Sequence, residues 1–228
     1  MAAAPLYDQI GIGYRANRIP DARIGAQLHA ALGDAVTVLN VGAGAGAYEP
    51  TDRRLLALEP SQVMLAQRPS GAAPAVCGFS DHLPFADGAF DAALAILTVH
   101  HWAHRAEGFA ELARVSRRQV VFCFEPPVKN KHWLVADYLP EIEEIPVPAD
   151  CTDGFQNAYW CRPERYLDPV ARSNISTFAT IPPDRVDAAL RRLAADLADG
   201  TWHRRHGHLL DQPTSDGGYR LVVVDPVT

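Results

Sequence analysis

The chain has 228 residues, a length typical of one domain, and 48% of them are hydrophobic, which is enough for a sizeable core. Its formal net charge of -6 argues against duplex nucleic acid as a partner, because phosphate binding needs a basic face. The chain has no apolar run of roughly 20 residues and no signal-peptide pattern at its start, so we expect a cytoplasmic protein with no membrane partner.

The first 125 residues predict alternating strands and helices. Short, continuous apolar runs are typical of buried parallel strands, and five of them occur, at 36–41, 55–59, 73–77, 90–97 and 120–124. Between and before them lie three helical stretches, at 23–32, 62–67 and 103–115. Ser61 precedes the second of these stretches as a candidate N-cap. This alternation predicts an α/β, Rossmann-like, doubly wound sheet.

The composition changes after residue 125. Nine of the 18 prolines lie between Pro126 and Pro183, where seven aromatic residues also occur. Prolines interrupt long elements, but a linker would not carry so many aromatic side chains. We therefore expect 126–215 to form a cap inserted on the 1–125 core, with a helix at 184–197. A strand at 219–224, within 216–228, would complete the sheet of a single structural domain.

The cysteine and histidine patterns give no indication of a metal centre. The four cysteines form no C-x-x-C pair, which argues against a zinc site or a disulfide framework and fits a reducing compartment. His203, His206 and His208 have no acidic partner at a fixed spacing, so a solvated role is favoured over metal binding. We therefore expect no metal.

The strongest local signal is a glycine loop directly after the first strand. The run Val38–Val41 leads into Gly42, Gly44 and Gly46, a G-x-G-x-G pattern. Glycines there let the backbone turn sharply and approach a ligand with no Cβ in the way. By itself the pattern is equally compatible with a small-residue turn at a strand–helix joint.

An acid at the end of the second strand adds to this signal. Glu59 lies 17 residues after Gly42, and in a doubly wound sheet both positions meet at the carboxyl edge where ligands bind. A carboxylate there can accept hydrogen bonds from both hydroxyls of a ribose. The spacing therefore indicates a nucleoside ligand, with an exposed strand-end carboxylate as the alternative.

The glycine spacing also bears on which nucleoside is bound. Dinucleotide folds use G-x-G-x-x-G and a helix N-terminus to hold a pyrophosphate. Here Glu49 and Pro50 follow the loop, which leaves little room for a long helix, and Glu49 would repel a pyrophosphate. An adenosine compound with a cationic centre fits better, and S-adenosylmethionine is such a compound.

Four motifs in chain order resemble those of the class I S-adenosylmethionine-dependent methyltransferases, the broad group that includes ubiquinone- and menaquinone-biosynthesis-like enzymes. They are the glycine loop at 40–46, the acid-x-Ser-x-x-Met-Leu run at 59–65, the acid-x-Leu-Pro-Phe run at 81–91 and the His-His pair at 100–101. The resemblance covers about residues 7–125. It implies a mostly parallel, seven-stranded sheet with an antiparallel last strand. It also implies S-adenosylmethionine as cofactor and S-adenosylhomocysteine as product.

The resemblance also suggests which residues hold the cofactor. The glycines would lie at its amino-acid end, Glu59 at the ribose and Met64 near the adenine, although Met64 could equally belong to the helix core. The predicted cofactor-binding residues are Tyr14, Arg18, Asn40, Gly42, Gly44, Gly46, Glu59, Pro60, Ser61, Met64, Ser80, Asp81 and Thr98. Tyr14 and Arg18 would touch the methionine carboxylate, unless the N-terminal segment is a solvated helix.

Two departures from the family pattern affect these assignments. Asn40 stands where the family often has an acid, so it can form a hydrogen bond but contributes no charge. Phe79 occupies the position of an acid that contacts the adenine amine in many members. Ser80 or Asp81 would then read the adenine instead.

Methyl transfer requires a protein that aligns the nucleophile, excludes water and sometimes removes a proton. The candidate catalytic residues follow the fourth and fifth strands: His100, His101 and Glu125. Imidazole, with a pKa near neutrality, suits a general base. For each of the three the alternative is a structural role.

Aromatic residues are the candidates for substrate binding, with packing inside the cap as the alternative. They are Tyr7, Trp102, Trp133, Tyr138, Tyr159 and Trp160. We expect a methyltransferase that acts on a small-molecule acceptor through O, N or C. Acidic residues outnumber basic ones more strongly after residue 125 than before it, which leaves neutral or cationic acceptors open.

Two other functions remain compatible with parts of this pattern. A non-methylating enzyme on the same scaffold, such as a cyclase or decarboxylase, would keep the cofactor site. A nicotinamide-dependent oxidoreductase conflicts with the glycine spacing. Both a monomer and a homodimer stay open.

Overall fold

The alternation of strands and helices expected from the apolar runs is present through the first half of the chain. The computed structural model describes residues 5–124, 142–173 and 175–225. The strands of the first half are β1 (Thr37–Val41), β2 (Arg54–Glu59), β3 (Ala75–Cys77), β4 (Phe90–Ile96) and β5 (Ser116–Phe124). The helices of the first half are α1 (Tyr7–Ile10), α2 (Tyr14–Asn17), α3 (Ala22–Ala31), α4 (Gln62–Leu65) and α5 (Arg105–Val115).

The second half contains shorter elements apart from one long helix. Its strands are β6 (Ile142–Glu144), β7 (Val147–Pro148), β8 (Thr214–Ser215) and β9 (Tyr219–Val224). Its helices are α6 (Pro169–Arg172), α7 (Ser176–Thr180), α8 (Pro183–Ala198) and α9 (Thr201–His206). The short 3-10 turns of the chain are Val99–His101, Gln156–Tyr159, Pro163–Leu167 and Gly207–Asp211.

One sheet carries the fold, with strands in the order β3-β2-β1-β4-β5-β9-β6. The five strands β1 to β5 are parallel, whereas β9 pairs antiparallel with both β5 and β6. The doubly wound, mostly parallel sheet with an antiparallel last strand is therefore confirmed. The expected seven strands are reached with the three-residue β6, and without it the sheet has six.

Apolar side chains cover both faces of this sheet. On one face, Ile24 and Leu28 of α3 are fully buried in a cluster with Val38 of β1. On the other face, Leu112 of α5 packs in a second cluster with Leu39. Because neighbouring residues of β1 point to opposite faces, the strand is buried on both sides and reads as a continuous apolar run.

The position of β1 determines where the site forms. Its neighbours are β2 on one side and β4 on the other, so the connections leaving the carboxyl ends of these strands diverge at β1. Residues 42–53, which follow β1, form turns with no helix, as the nearby acid and proline indicated. Among the described residues no helix is long and apolar enough to cross a membrane.

Two cavities at the carboxyl edge of the sheet

The glycine loop folds back onto the end of β2 and fixes the Glu59 carboxylate. The φ angles of Gly42, Gly44 and Gly46 are 71°, 54° and 90°, in the left-handed region that favours glycine. The Gly44 N–H donates to Glu59 Oε2 at 2.8 Å, and the Ser61 N–H donates to Oε1 at 2.9 Å. Each carboxylate oxygen retains acceptor capacity, so the group fits a ligand with two adjacent hydroxyls.

Burial and hydrogen bonding act in opposite directions on this carboxylate. Glu59 is only 5% exposed, and burial raises its pKa, while the N–H groups of Ser61 and Gly44 lower it. Burial is the largest effect, so the pKa lies above the ordinary value. As the pH falls, Glu59 therefore becomes protonated at a higher pH than an ordinary glutamate does, and we expect its hydrogen bonds to a ribose to weaken there.

Gly42 packs against Thr98, and this contact carries a testable prediction. A Cβ built on Gly42 would lie 2.0 Å from Thr98 Oγ1, at a φ angle that L side chains rarely adopt. We expect Gly42→Ala to lower the free energy of unfolding by about 2–4 kcal/mol, measured by urea denaturation. Gly71→Ala is the matched control, since a Cβ there meets nothing within 4 Å. Equal stability of the two variants would contradict this close packing.

A first cavity, cavity A, of about 350 Å³ opens beside Glu59. Its lining includes five residues predicted to bind the cofactor, namely Glu59, Pro60, Ser80, Asp81 and Thr98. Pro5, Leu6, Tyr7, Phe79, His101, Trp102 and Ala103 complete it. The fold thus brings the ends of β2 and β4 and the segment after β3 to one concave surface, although they are far apart in the sequence.

Trp102, which the sequence suggested for substrate binding, lies with the candidate cofactor residues. Its indole N–H donates to Thr98 Oγ1 at 3.3 Å, and its ring packs against Gly108 of α5. The side chain is 9% exposed. The structure therefore places Trp102 in the wall of cavity A.

Ser61 and Met64 lie behind the glycine loop. Ser61 is fully buried, accepts a hydrogen bond from the Met64 N–H as the predicted N-cap of α4, and donates to Asp8 at 2.6 Å. Met64 is 2% exposed and packs between Gly11 and Gly44. Met64 therefore occupies the helix-core position that the sequence indicated as its alternative role, and it packs against Gly44 of the glycine loop.

Asn40 connects the loop to a buried ion pair. Its Nδ2 donates to Glu49 Oε1 at 3.1 Å, and Glu49 forms a two-pronged pair with Arg68 at 2.8 and 2.9 Å. Arg68 thus neutralises the charge of Glu49, the acid that follows the glycine loop in the sequence. Gly46 packs against both side chains of this ion pair. Asn40 Oδ1 is buried and has no hydrogen-bond partner among the described residues, and Asn40 is not among the residues that line cavity A or the other cavity at this edge.

A second cavity, cavity B, of about 180 Å³ is lined by other elements of the same edge. Its residues are Tyr7, Arg18, Leu97, His100, Phe124, Phe155, Gln156, Ile175, Ser176, Thr177 and Tyr219. Ring centroids of Phe155 and Phe124 lie 4.6 and 5.4 Å from that of Tyr219. Leu97, at the end of β4, has a φ angle of 49°, a costly conformation for a non-glycine residue.

The aromatic wall of cavity B was missed by the sequence reasoning. Phe124 ends β5, and Tyr219 begins the antiparallel β9, so both lie at the carboxyl edge of the parallel strands. The predicted antiparallel last strand could have indicated this placement, because such a strand must start at the edge where its parallel neighbour ends. Phe155 reaches the wall from a turn whose position no pattern indicated.

Tyr7 lines both cavities and lies between them. Its hydroxyl is 3.2 Å from His101 Nε2, and its ring packs edge-on against His101 with centroids 5.1 Å apart. Burial raises the pKa of Tyr7, so the phenol keeps its proton and can donate a hydrogen bond to an unprotonated nitrogen of the His101 imidazole. The N-terminal segment therefore forms part of both cavity walls.

The two adjacent histidines face different cavities. His101 lines cavity A, and burial, followed by the charges of His100 and Arg105, lowers its pKa to about 4. His100 lines cavity B, and burial, followed by Arg105 and Arg18, lowers its pKa as well. Both rings are therefore neutral near pH 7, the form in which imidazole accepts a proton.

Arg18 is part of a buried network that spans the chain. Its Nε donates to Asp153 Oδ1 at 2.5 Å and its Nη2 to Oδ2 at 3.3 Å, while Nη1 donates to the Tyr14 hydroxyl at 2.5 Å. Tyr48, just after the glycine loop, donates to Asp153 Oδ2 at 2.8 Å. Arg18 lines cavity B, whereas the sequence placed Tyr14 and Arg18 against the cofactor's methionine carboxylate. That contact stays a prediction.

Tyr159 and Trp160, candidates for substrate binding, belong to the core of the second half. Tyr159 is 5% exposed and packs edge-on against Tyr166 at 5.6 Å. The Trp160 indole N–H donates to the Val147 carbonyl at 3.1 Å. Neither residue is among those lining cavity A or B, which fits the packing role that the sequence left as the alternative; substrate binding by these two residues stays a prediction. Glu125, Trp133 and Tyr138 lie outside the described residues.

Comparison with known proteins adds independent findings. A family model described as a methyltransferase domain matches residues 39–124. The chain is 30% identical over 187 residues to a demethylmenaquinone methyltransferase of Mycolicibacterium vanbaalenii, an alignment that covers 80% of this chain and 72% of that protein.

Solved structures with a similar fold include a protein described as a methyltransferase from an antibiotic biosynthesis pathway of Anabaena variabilis. Its TM-score is 0.82 at 29% identity, over 91% of this chain and 98% of that one. The [4+2]-cyclase SpnF has a TM-score of 0.51 at 18% identity, over 99% of this chain and 96% of that one, a likeness of fold alone.

Proposed function

The chain belongs to the class I S-adenosylmethionine-dependent methyltransferases, and from that membership we propose that it methylates an oxygen, nitrogen or carbon atom of a small molecule. The observation that carries the proposal is the pair of cavities that share Tyr7. A methyl donor in cavity A and an acceptor in cavity B would lie close to Tyr7 on either side, and in-line displacement would require the two to meet directly beside its side chain.

Cavity A is the proposed cofactor site, and its residues fit S-adenosylmethionine. The Glu59 carboxylate, held by two backbone N–H groups, would accept the ribose hydroxyls. Ser80, Asp81 and Trp102, which line the cavity, would surround the adenine. When bound, the cofactor supplies a methyl group activated by a sulfonium.

Cavity B is the proposed acceptor site. Phe124, Phe155 and Tyr219 exclude water from one side, and His100 presents a neutral imidazole to the same space. Where the acceptor atom carries a proton, His100 would remove it as methyl transfer proceeds. Two observations support a small-molecule acceptor. The cavity measures about 180 Å³, and the Mycolicibacterium relative is named for a small molecule, demethylmenaquinone.

A second candidate keeps the cofactor site but transfers no methyl group. Similarity to the cyclase SpnF extends over 99% of this chain, so the same architecture also hosts a cyclisation. The 18% identity supports this reading through the fold alone. The methyltransferase proposal is favoured by the 30% identical relative, which is named for methyl transfer.

The proposed function is tested by incubating the protein with methyl-labelled S-adenosylmethionine and a fractionated small-molecule extract. We expect label in a small-molecule product and stoichiometric S-adenosylhomocysteine, both lowered at least tenfold with the Glu59→Gln variant at a cofactor concentration below the KM. Cofactor binding without labelled product from any fraction would favour the non-methylating alternative. A parallel reaction contains added protein and nucleic acid, and label found only in these macromolecules would contradict a small-molecule acceptor.

A further inference from the structure

Arg18 introduces a positive charge into a cavity whose other lining side chains are uncharged. Among the described residues that line cavity B, it is the one cationic side chain, because His100 is neutral near pH 7. Its side chain is 7% exposed, and Asp153, on its far side, is fully buried. A buried guanidinium at the wall of a cavity favours a ligand that accepts hydrogen bonds from it, since a buried donor left without an acceptor is costly.

The guanidinium has more donors than its protein partners use. An arginine side chain carries five N–H groups and no acceptor. Asp153 receives two of them and the Tyr14 hydroxyl one. Within the described part of the chain this leaves one N–H on Nη1 and one on Nη2 without a recorded partner, a fork that matches an oxygen acceptor.

The orientation of this fork is fixed from several parts of the chain. Besides Arg18, Asp153 accepts hydrogen bonds from the Tyr48 hydroxyl and from the Gly154 N–H. The carboxylate is therefore held on one side of Arg18 by residues of the glycine-loop segment and of the second half. Of the Arg18–Asp153 pair, Arg18 lines cavity B, so its positive charge favours binding of an anionic oxygen there and disfavours a cation.

Resting on the proposed function, we propose that Arg18 selects the methyl acceptor: a planar apolar molecule bearing an anionic oxygen, seated on the Phe155–Tyr219 wall with that oxygen on the guanidinium. The aromatic side chains supply the apolar surface and Arg18 the charged anchor, in keeping with small-molecule sites that combine apolar walls with a few placed polar groups. An anionic acceptor departs from the neutral or cationic acceptors that the acidic second half left open, because the local charge of Arg18 outweighs the overall charge of that half. Arg18 is thereby assigned to the acceptor and not to the cofactor carboxylate.

The selectivity is measured with three probes of one shape: 2-naphthoate, 2-naphthalenemethanol and 2-naphthylmethylamine. Each is titrated into the protein saturated with S-adenosylhomocysteine, and the dissociation constant is followed by naphthyl fluorescence. We expect naphthoate to bind at least tenfold more tightly than the alcohol, and the ammonium compound to bind most weakly. Equal or tighter binding of the alcohol or the ammonium compound would overturn the proposal.

A paired variant separates the acceptor role from a cofactor role. Arg18→Gln combined with Asp153→Asn removes both charges together, so no buried charge is left unpaired. We expect the preference for naphthoate over the alcohol to vanish, while the S-adenosylhomocysteine dissociation constant changes less than twofold. A tenfold loss of S-adenosylhomocysteine affinity with the preference intact would assign Arg18 to the cofactor and overturn the proposal.

Two further outcomes keep the test decisive. If the double variant does not fold, the three-probe series on the unaltered protein decides alone. If the protein prefers naphthoate but no extract yields labelled product, the proposed methyl transfer fails while the anion site stands. The two claims are therefore distinguishable.

Discussion

Replacing Glu59 by glutamine is expected to weaken the binding of S-adenosylhomocysteine at least tenfold, on the order of 1.4 kcal/mol. Both carboxylate oxygens already accept a backbone N–H and have capacity for a ribose hydroxyl. A glutamine offers one acceptor oxygen, and its NH₂ group would face the N–H of Gly44 or of Ser61. Isothermal titration calorimetry of the folded variant measures the loss.

The matched control for this variant is Glu107→Gln. Glu107 lies on α5 and is exposed, so the same change of charge and shape there should leave the affinity within twofold of the original. Thermal unfolding of both variants separates a loss of binding from a loss of fold. An unchanged affinity of Glu59→Gln would contradict the assignment of Glu59 to the ribose.

Replacing His100 by glutamine is expected to lower kcat about 100-fold on an acceptor that must lose a proton, because general-base catalysis typically contributes that much or more. His100 faces cavity B, so the KM for S-adenosylmethionine should stay within twofold. Steady-state kinetics with the acceptor from the labelled screen measures both. His208→Gln is the control, since that side chain is exposed and lines neither cavity.

The pH profile gives this prediction a second readout. Burial and the charges of Arg105 and Arg18 lower the pKa of His100, so the ring stays neutral below the ordinary value of 6.5. The rate of the unaltered protein should be flat near neutrality and fall only at a pH below 6.5. The Gln variant should lack this acidic decline. Retention of more than half of kcat by the Gln variant would exclude His100 as the base.

The cofactor half of the site could be anticipated because local patterns determine it. The apolar strand, the G-x-G-x-G loop and Glu59 lie within 22 residues, 38–59, and the topology of parallel strands brings them together. The structure connects them through the Gly44–Glu59 hydrogen bond. A short sequence window and one topological rule were sufficient for this part.

The acceptor half depends on contacts between distant residues, which no local pattern reports. Arg18 and Asp153 are 135 residues apart, and their pairing requires the complete fold. Phe155 and Tyr219 likewise meet only because β9 returns along β5. Aromatic residues such as Tyr159 give the same composition signal and are as buried as Phe155 and Tyr219, so only the position in the fold distinguishes the core from the cavity wall.

The most direct test of the account is a crystal structure of the protein with S-adenosylhomocysteine. We expect the nucleoside in cavity A, both ribose hydroxyls within 3.2 Å of the Glu59 carboxylate, and the sulfur directed past Tyr7 towards cavity B. Density for the nucleoside outside cavity A, or a ribose beyond hydrogen-bond reach of Glu59, would contradict the two-cavity account.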